Sequence, residues 1–218
     1  MRILWARVYL TLCALLLSSS PVHAQLPIGT SFRLGGSFMN LNTVDAAGDQ
    51  RLTGFGFEGN ATLTYKRFAL GLGYLEGSLS PTGNGLDRDI VEGEALISTR
   101  ATSWLRIGLG PHIRSLIIPE GTERWLFWEL LIQAHTSLGF PRLMSVLEIR
   151  QVLSANIDVD DGFDGARGVV GSLRWDVSSL PIWVGLGYRI DRSNLGSGTR
   201  TEVMEHFVIS VGVGRGTR

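Results

Sequence analysis

The sequence predicts an all-β chain: an antiparallel, membrane-spanning β-barrel of about ten strands, with 8 or 12 as alternative counts, behind a cleaved leader. Three observations predict it. First, Phe68-Ala69-Leu70-Gly71-Leu72-Gly73-Tyr74 alternates large apolar residues with Ala or Gly, and the pattern recurs at Leu105 to Gly110 and at Ile182 to Tyr188. A period of two marks strands with one apolar face. Second, the segments that keep this period are about twice the five or six residues usual in soluble proteins. They are long enough for the roughly 9–11 residues of a tilted barrel strand. Third, after residue 24 no apolar run approaches the ~20 residues of a spanning helix. A chain of this kind crosses a bilayer only by closing its sheet.

The leader is read at residues 1–24. Arg2 and Arg7 give a charged start, Val8 to Leu17 is an apolar run too short to span, and Val22-His23-Ala24 supplies small residues before a cleavage at Gln25. Residues 25–218 are then one barrel domain. Cys13, the only cysteine, falls in the leader, so the mature chain is expected to lack disulfides, thiol catalysis and cysteine metal sites. Without Arg2 and Arg7 the 20 basic residues fall to 18 against 20 acidic, and no basic field exists to attract nucleic acid. Lys66 is the only lysine; arginine, the better carboxylate partner in poorly hydrated places, supplies every other basic side chain.

The strands are expected at 30–41, 52–65, 68–79, 89–100, 104–118, 123–138, 142–154, 167–177, 182–192 and 201–214. Lys66-Arg67, Ala101 to Ser103, Gly139 to Pro141 and Ser178 to Pro181 are tight turns. The segments 42–51, 80–88, 119–122, 155–166 and 193–200 read as longer loops, rich in Gly, Asp, Asn, Ser and Thr. Short turns at one end and long loops at the other mark an outer-membrane barrel with both termini in the periplasm. Tyr65, Phe68, Trp104, Phe140, Trp175 and Trp183 beside the tight turns read as an aromatic girdle. Parity turns residues such as Phe55, Leu72, Leu109, Ile149, Leu186 and Ile209 to lipid. Glu205 then also faces lipid, and a bulge near Met204 would restore it to the lumen.

With cleavage site, glycine-alternating strands, girdle and loop asymmetry in place, residues 27–214 resemble the small Gram-negative outer-membrane β-barrel proteins, a broad group. The chain departs from many of them in ending on Gly214-Arg215-Gly216-Thr217-Arg218 rather than on an aromatic residue. The resemblance implies outer-membrane lipid, lipopolysaccharide and the barrel-assembly machinery as partners.

Inward parity gives a lumen with acids at Glu58, Glu92, Glu94, Glu129, Glu148, Asp176, Asp191 and Glu202. It gives bases at Arg33, Arg100, Arg106, Arg114, Arg150, Arg174 and Arg189. Pivoting the fourth hairpin on Thr102 sets Glu92 opposite His112, with Glu94 and Arg114 diagonal. Pivoting on Phe140-Pro141 sets Glu148 opposite Gln133 and Arg150 a step from Glu129. Ten strands leave a narrow interior, and balanced charges in it form a plug rather than a pore.

No catalytic set stands out, and no cofactor or metal is expected. Glu92, Glu94 and His112 have the residue types for acid–base or metal chemistry. The omptin-like proteases place their acids and histidine at the extracellular rim, and no matching set is found here. His135-Thr136-Ser137 spells the His-x-Ser of lipid A deacylase-like barrels, but parity points His135 inward near a periplasmic turn. Asp158, Asp160, Asp161 and Asp164 form an acidic loop that misses calcium-loop spacing. The expected function is therefore structural or interactive, not enzymatic, with a charge-plugged lumen and extracellular recognition loops. The alternatives are a narrow porin-like channel, an outer-leaflet barrel enzyme (lipid A-modifying or protease) and a soluble lipocalin-like barrel.

Overall fold

The computed structural model describes residues 28–46, 48–83, 85–119, 121–158, 162–177 and 180–214. The expected leader lies outside the described residues. Ten strands follow in order: β1 (Ile28–Asp45), β2 (Gly48–Tyr65), β3 (Phe68–Pro81), β4 (Arg88–Arg100), β5 (Leu105–Ile118), β6 (Gly121–Ser137), β7 (Leu143–Ile157), β8 (Phe163–Asp176), β9 (Ile182–Leu195) and β10 (Arg200–Val213). Each pairs antiparallel with its sequence neighbour, and β1 pairs with β10 to close the barrel. Closure leaves no sheet edge, the condition for crossing lipid.

One end of the barrel, here the turn end, carries the start of β1, the end of β10 and the connections 66–67, 101–104, 138–142 and 177–181. The other, the loop end, carries 46–47, 82–87, 119–120, 158–162 and 196–199. The strands are longer than the sequence reading had them, and they grow mainly at the loop end. Residues 42–45 and 48–51, expected in a long loop, are paired strand (Asn42 with Arg51, Asp45 with Gly48). The polar composition that read as loop is the outer face of strands that project past the lipid belt.

Outward side chains divide into two zones. From the turn end to about two-thirds of the way up they are apolar and exposed, including Phe55, Leu72, Leu109, Ile149, Leu186 and Ile209. Such a band of exposed apolar side chains is what lipid covers. Tyr65, Phe68, Trp104, Phe140 and Trp175 are exposed at its lower margin, as a girdle requires. Trp183 departs from expectation. Its neighbour Val184 takes the outward position, so Trp183 points into the lumen, only 9% exposed, under the Arg174 guanidinium at 4.6 Å.

Beyond the belt the outward residues turn polar: Asn40, Arg51, Glu76, Asp89, Arg124 and Glu205. Glu205 is not rescued by a bulge. The register of β10 runs unbroken past Met204. The carboxylate faces outward and accepts hydrogen bonds from Tyr188 Oη at 2.5 Å and Asn40 Nδ2 at 2.7 Å, while Arg51 Nε donates to Asn40 Oδ1. Bulges occur instead at Leu153 in β7, opposite Trp128/Glu129, and between Phe163 and Gly165 in β8.

Glycine has a steric role inside the wall. A Cβ on Gly110 would lie 1.9 Å from the Ala95 carbonyl oxygen, so β4 and β5 approach there only because position 110 has no side chain. The alternating Gly of Leu105 to Gly110 is thus a packing requirement as well as a strand signature.

Candidate functional site

The charged residues share the lumen, which is stacked in three layers. At the loop end it is filled with hydrocarbon. Met39, Leu41, Leu52, Leu75, Leu79, Ile90, Leu116 and Met204 form one buried cluster. Trp125, Phe127, Val152 and Leu195 form another, with Trp125 edge-on to Phe127 at 5.9 Å. Here the barrel reverses its polarity: outside the strands are polar, inside they are apolar, as in a water-soluble barrel. This seal was not anticipated. Its signal was present, because the apolar phase switches face along single strands. In β3, Leu70 and Leu72 point out, then Leu75 and Leu79 point in, with Glu76 facing outward between them.

Beneath the seal lies a layer of charge drawn from β4, β5, β6, β7 and β9. Arg114 Nε donates to Glu92 at 2.6 Å and its Nη2 to Asp191 at 3.0 Å. Arg189 bridges the same two carboxylates, at 3.0 Å to Glu92 and 2.6 Å to Asp191. His112 sits between Glu129 (Nδ1, 2.8 Å) and Glu92 (Nε2, 3.4 Å). An imidazolium satisfies both carboxylates, whereas a neutral ring turns a lone pair toward one of them. Arg150 then links Glu94 and Glu148, each at 2.6 Å, and reaches Glu129 at 3.4 Å. Gln133 Nε2 donates to Glu148 at 3.0 Å and pairs with His135 at 2.8 Å. Five carboxylates thus meet three arginines and one histidine in a single connected network.

Register explains one departure. Arg100 pairs with Arg106, so β4 and β5 turn about Ser103, not Thr102. Glu92 therefore lies opposite Arg114, and Glu94 opposite His112. The turn is one residue longer than expected, with Ala101 and Thr102 both donating to the Leu105 carbonyl. The β6–β7 register is as expected, with Gln133 opposite Glu148.

Three residues expected in the charge cluster lie outside the network. Glu58 pairs with Arg33 at 2.9 Å, and Arg174 with Asp176 at 2.7 Å. Arg106 donates to Ser98 Oγ at 3.1 Å and meets no carboxylate among the described residues. All three line a cavity of about 380 Å³ that occupies the turn-end half of the lumen and reaches Ser31, Thr64, His135 and Ser210. Water reaches it: Arg33 and Asp176 are each 36% exposed though they face inward, whereas Arg114 above is 4% exposed.

Of the acidic loop, Asp160 and Asp161 lie outside the described residues. Asp158 is exposed, and Asp164 accepts the Gly198 N–H at 2.7 Å, tying the start of β8 to the 196–199 connection. Among the described residues no three side chains converge to hold a metal.

No family model matches the sequence, and no curated protein matches it detectably. Among solved structures the chain is similar to the outer membrane protease OmpT from Escherichia coli, at TM-score 0.55 and 8% identity over 91% of this chain and 100% of that one. It also matches neisserial surface protein A (TM-score 0.37, 12% identity, 84% and 97%) and the translocator domain of the autotransporter NalP from Neisseria meningitidis (0.43, 9%, 97% and 95%). At such identities the likeness is one of fold: the chain is a closed antiparallel barrel of the kind these outer-membrane proteins have, and its exposed apolar belt is a surface that lipid would cover.

Proposed function

We propose that this barrel is a sealed, non-conducting outer-membrane protein whose role is structural and interactive, carried by its wall and its projecting loop-end rim. One observation supports this above the others: two different barriers, one of hydrocarbon and one of paired charge, lie in series across the lumen. An ion passing the first loses its water with nothing to replace it, at a cost of several kcal/mol or more. In this reading the turn end faces the periplasm and the rim faces outside. Lipid and lipopolysaccharide are the immediate partners, and Arg51, Arg124, Arg167 and Arg192 point outward just past the belt, at the level of lipid phosphates. His112 between two carboxylates is a structural bridge, not a catalytic base.

The rival reading is a narrow channel. It is favoured by the water-accessible turn-end half, and it requires the seal to move. Planar-bilayer recording of the purified protein distinguishes the two. The expected record is flat across the accessible voltage range. Stable, reproducible channels would overturn the proposal.

A further inference from the structure

We propose that the turn-end cavity is a binding site for a small organic carboxylate with an apolar body. The inference goes beyond sealing, since a closed barrel or a channel would hold such a site equally. Three observations carry it. The cavity's volume, about 380 Å³, is that of a small-molecule site. Its wall carries a cation without a carboxylate: among the described residues Arg106 has the Ser98 hydroxyl as its hydrogen-bond partner, and its direct cross-strand neighbour is Arg100, a like charge. Directly opposed like charges destabilise a sheet, and an anion between them reverses the sign. Finally, buried polar atoms on the same cavity lack hydrogen-bond partners among the described residues. They are Trp183 Nε1, both ring nitrogens of His206, 1% exposed, Arg189 Nε, and Glu58 Oε1, which has the Arg33 guanidinium at 2.9 Å. Buried donors and acceptors are nearly always satisfied, so these atoms are open to water or to a ligand that enters the cavity.

The chemistry of the wall selects the ligand. The Arg174 guanidinium sits 4.6 Å over the Trp183 indole, which places a cation and an aromatic ring together in the cavity wall. Leu96, Leu131, Val146 and Val208 supply apolar wall between the polar groups. A guanidinium matches a carboxylate in two parallel hydrogen bonds, and the apolar wall accepts a hydrocarbon body. A bare inorganic anion would leave that wall uncovered.

The test is calorimetric titration of the folded, detergent-solubilised protein with benzoate, benzamide and inorganic phosphate. Benzoate is expected to bind saturably and at least about tenfold more tightly than benzamide or phosphate, the scale of one charge-assisted contact. Arg106→Gln should weaken benzoate by about tenfold and leave benzamide unchanged. That variant removes a like-charge contact and so keeps the fold, which heat-modified gel mobility verifies. Ser172→Phe, which fills the cavity from β8, should abolish binding of all three. Benzoate and benzamide binding alike, phosphate binding as tightly as benzoate, or benzoate affinity unchanged in Arg106→Gln would each overturn the proposal. None of these results depends on whether the barrel conducts.

Discussion

Arg114→Met removes the centre of the charge layer while keeping most of its volume. In the native lumen Arg114 is 4% exposed and neutralises two carboxylates, Glu92 at 2.6 Å and Asp191 at 3.0 Å. Without it the five carboxylates retain Arg150, Arg189 and His112, and Glu92 and Asp191 must share Arg189. Breaking a buried pair by removing one partner costs about 3–5 kcal/mol, because the abandoned charge stays buried. Here Arg189 remains as a second partner, so the lower end, about 3 kcal/mol, is expected. Adding Glu92→Gln removes one of the two abandoned charges. The double variant should recover roughly 1–2 kcal/mol, a coupling of the size seen between directly contacting residues. Equilibrium urea unfolding in lipid vesicles, followed by tryptophan fluorescence and gel mobility, measures all three proteins. If Arg114→Met costs less than about 1 kcal/mol and the double variant is simply additive, the charges are screened as on a wet surface. The layer would then not be a buried network, and the reasoning fails.

Two further outcomes are expected. Gly110→Ala should destabilise the barrel by about 1–3 kcal/mol, the range for forced overpacking, because its Cβ would meet the Ala95 carbonyl at 1.9 Å. Gly93→Ala, with nothing within 4 Å, should be neutral in the same unfolding assay. With Cys13 the only native cysteine, Ser197→Cys at the loop end should react with a membrane-impermeant maleimide on intact cells, and Lys66→Cys at the turn end should not. The opposite pattern would invert the proposed orientation.

Period-two alternation made the strand number and closure legible, because lipid outside and polar lumen inside repeat the same contrast in every strand. It also gave the inward charges, since one parity rule covers Glu92, Arg114, Arg150 and Arg189 alike. It could not give strand length at the loop end. There Asn42, Asp49 and Arg51 have loop-like composition, yet they are paired and merely face water. Aromatic content near a turn suggests a girdle position for Trp183, but parity with Val184 turns it inward. A bulge at Glu205 would be needed only if lipid covered the whole wall, and Glu205 stands past the belt with Tyr188 and Asn40 as partners. The Glu92–Arg114 register hinged on one residue of turn length, which side-chain periodicity does not encode.

The reversal of polarity along single strands has a consequence for what mutations can reveal. In the sealed reading proposed above, two barriers stacked in one tube act like resistors in series: the total is governed by the larger, and lowering either alone leaves the other standing. A substitution that thins the hydrocarbon layer, such as one at Leu79 or Trp125, leaves an ion facing the bonded arginines and carboxylates below. One that disrupts those bonds leaves it facing hydrocarbon above. Each change still registers in full on unfolding, because every buried contact contributes there. Permeability and stability therefore read different things in this molecule, and only combined lesions in both layers will make them agree.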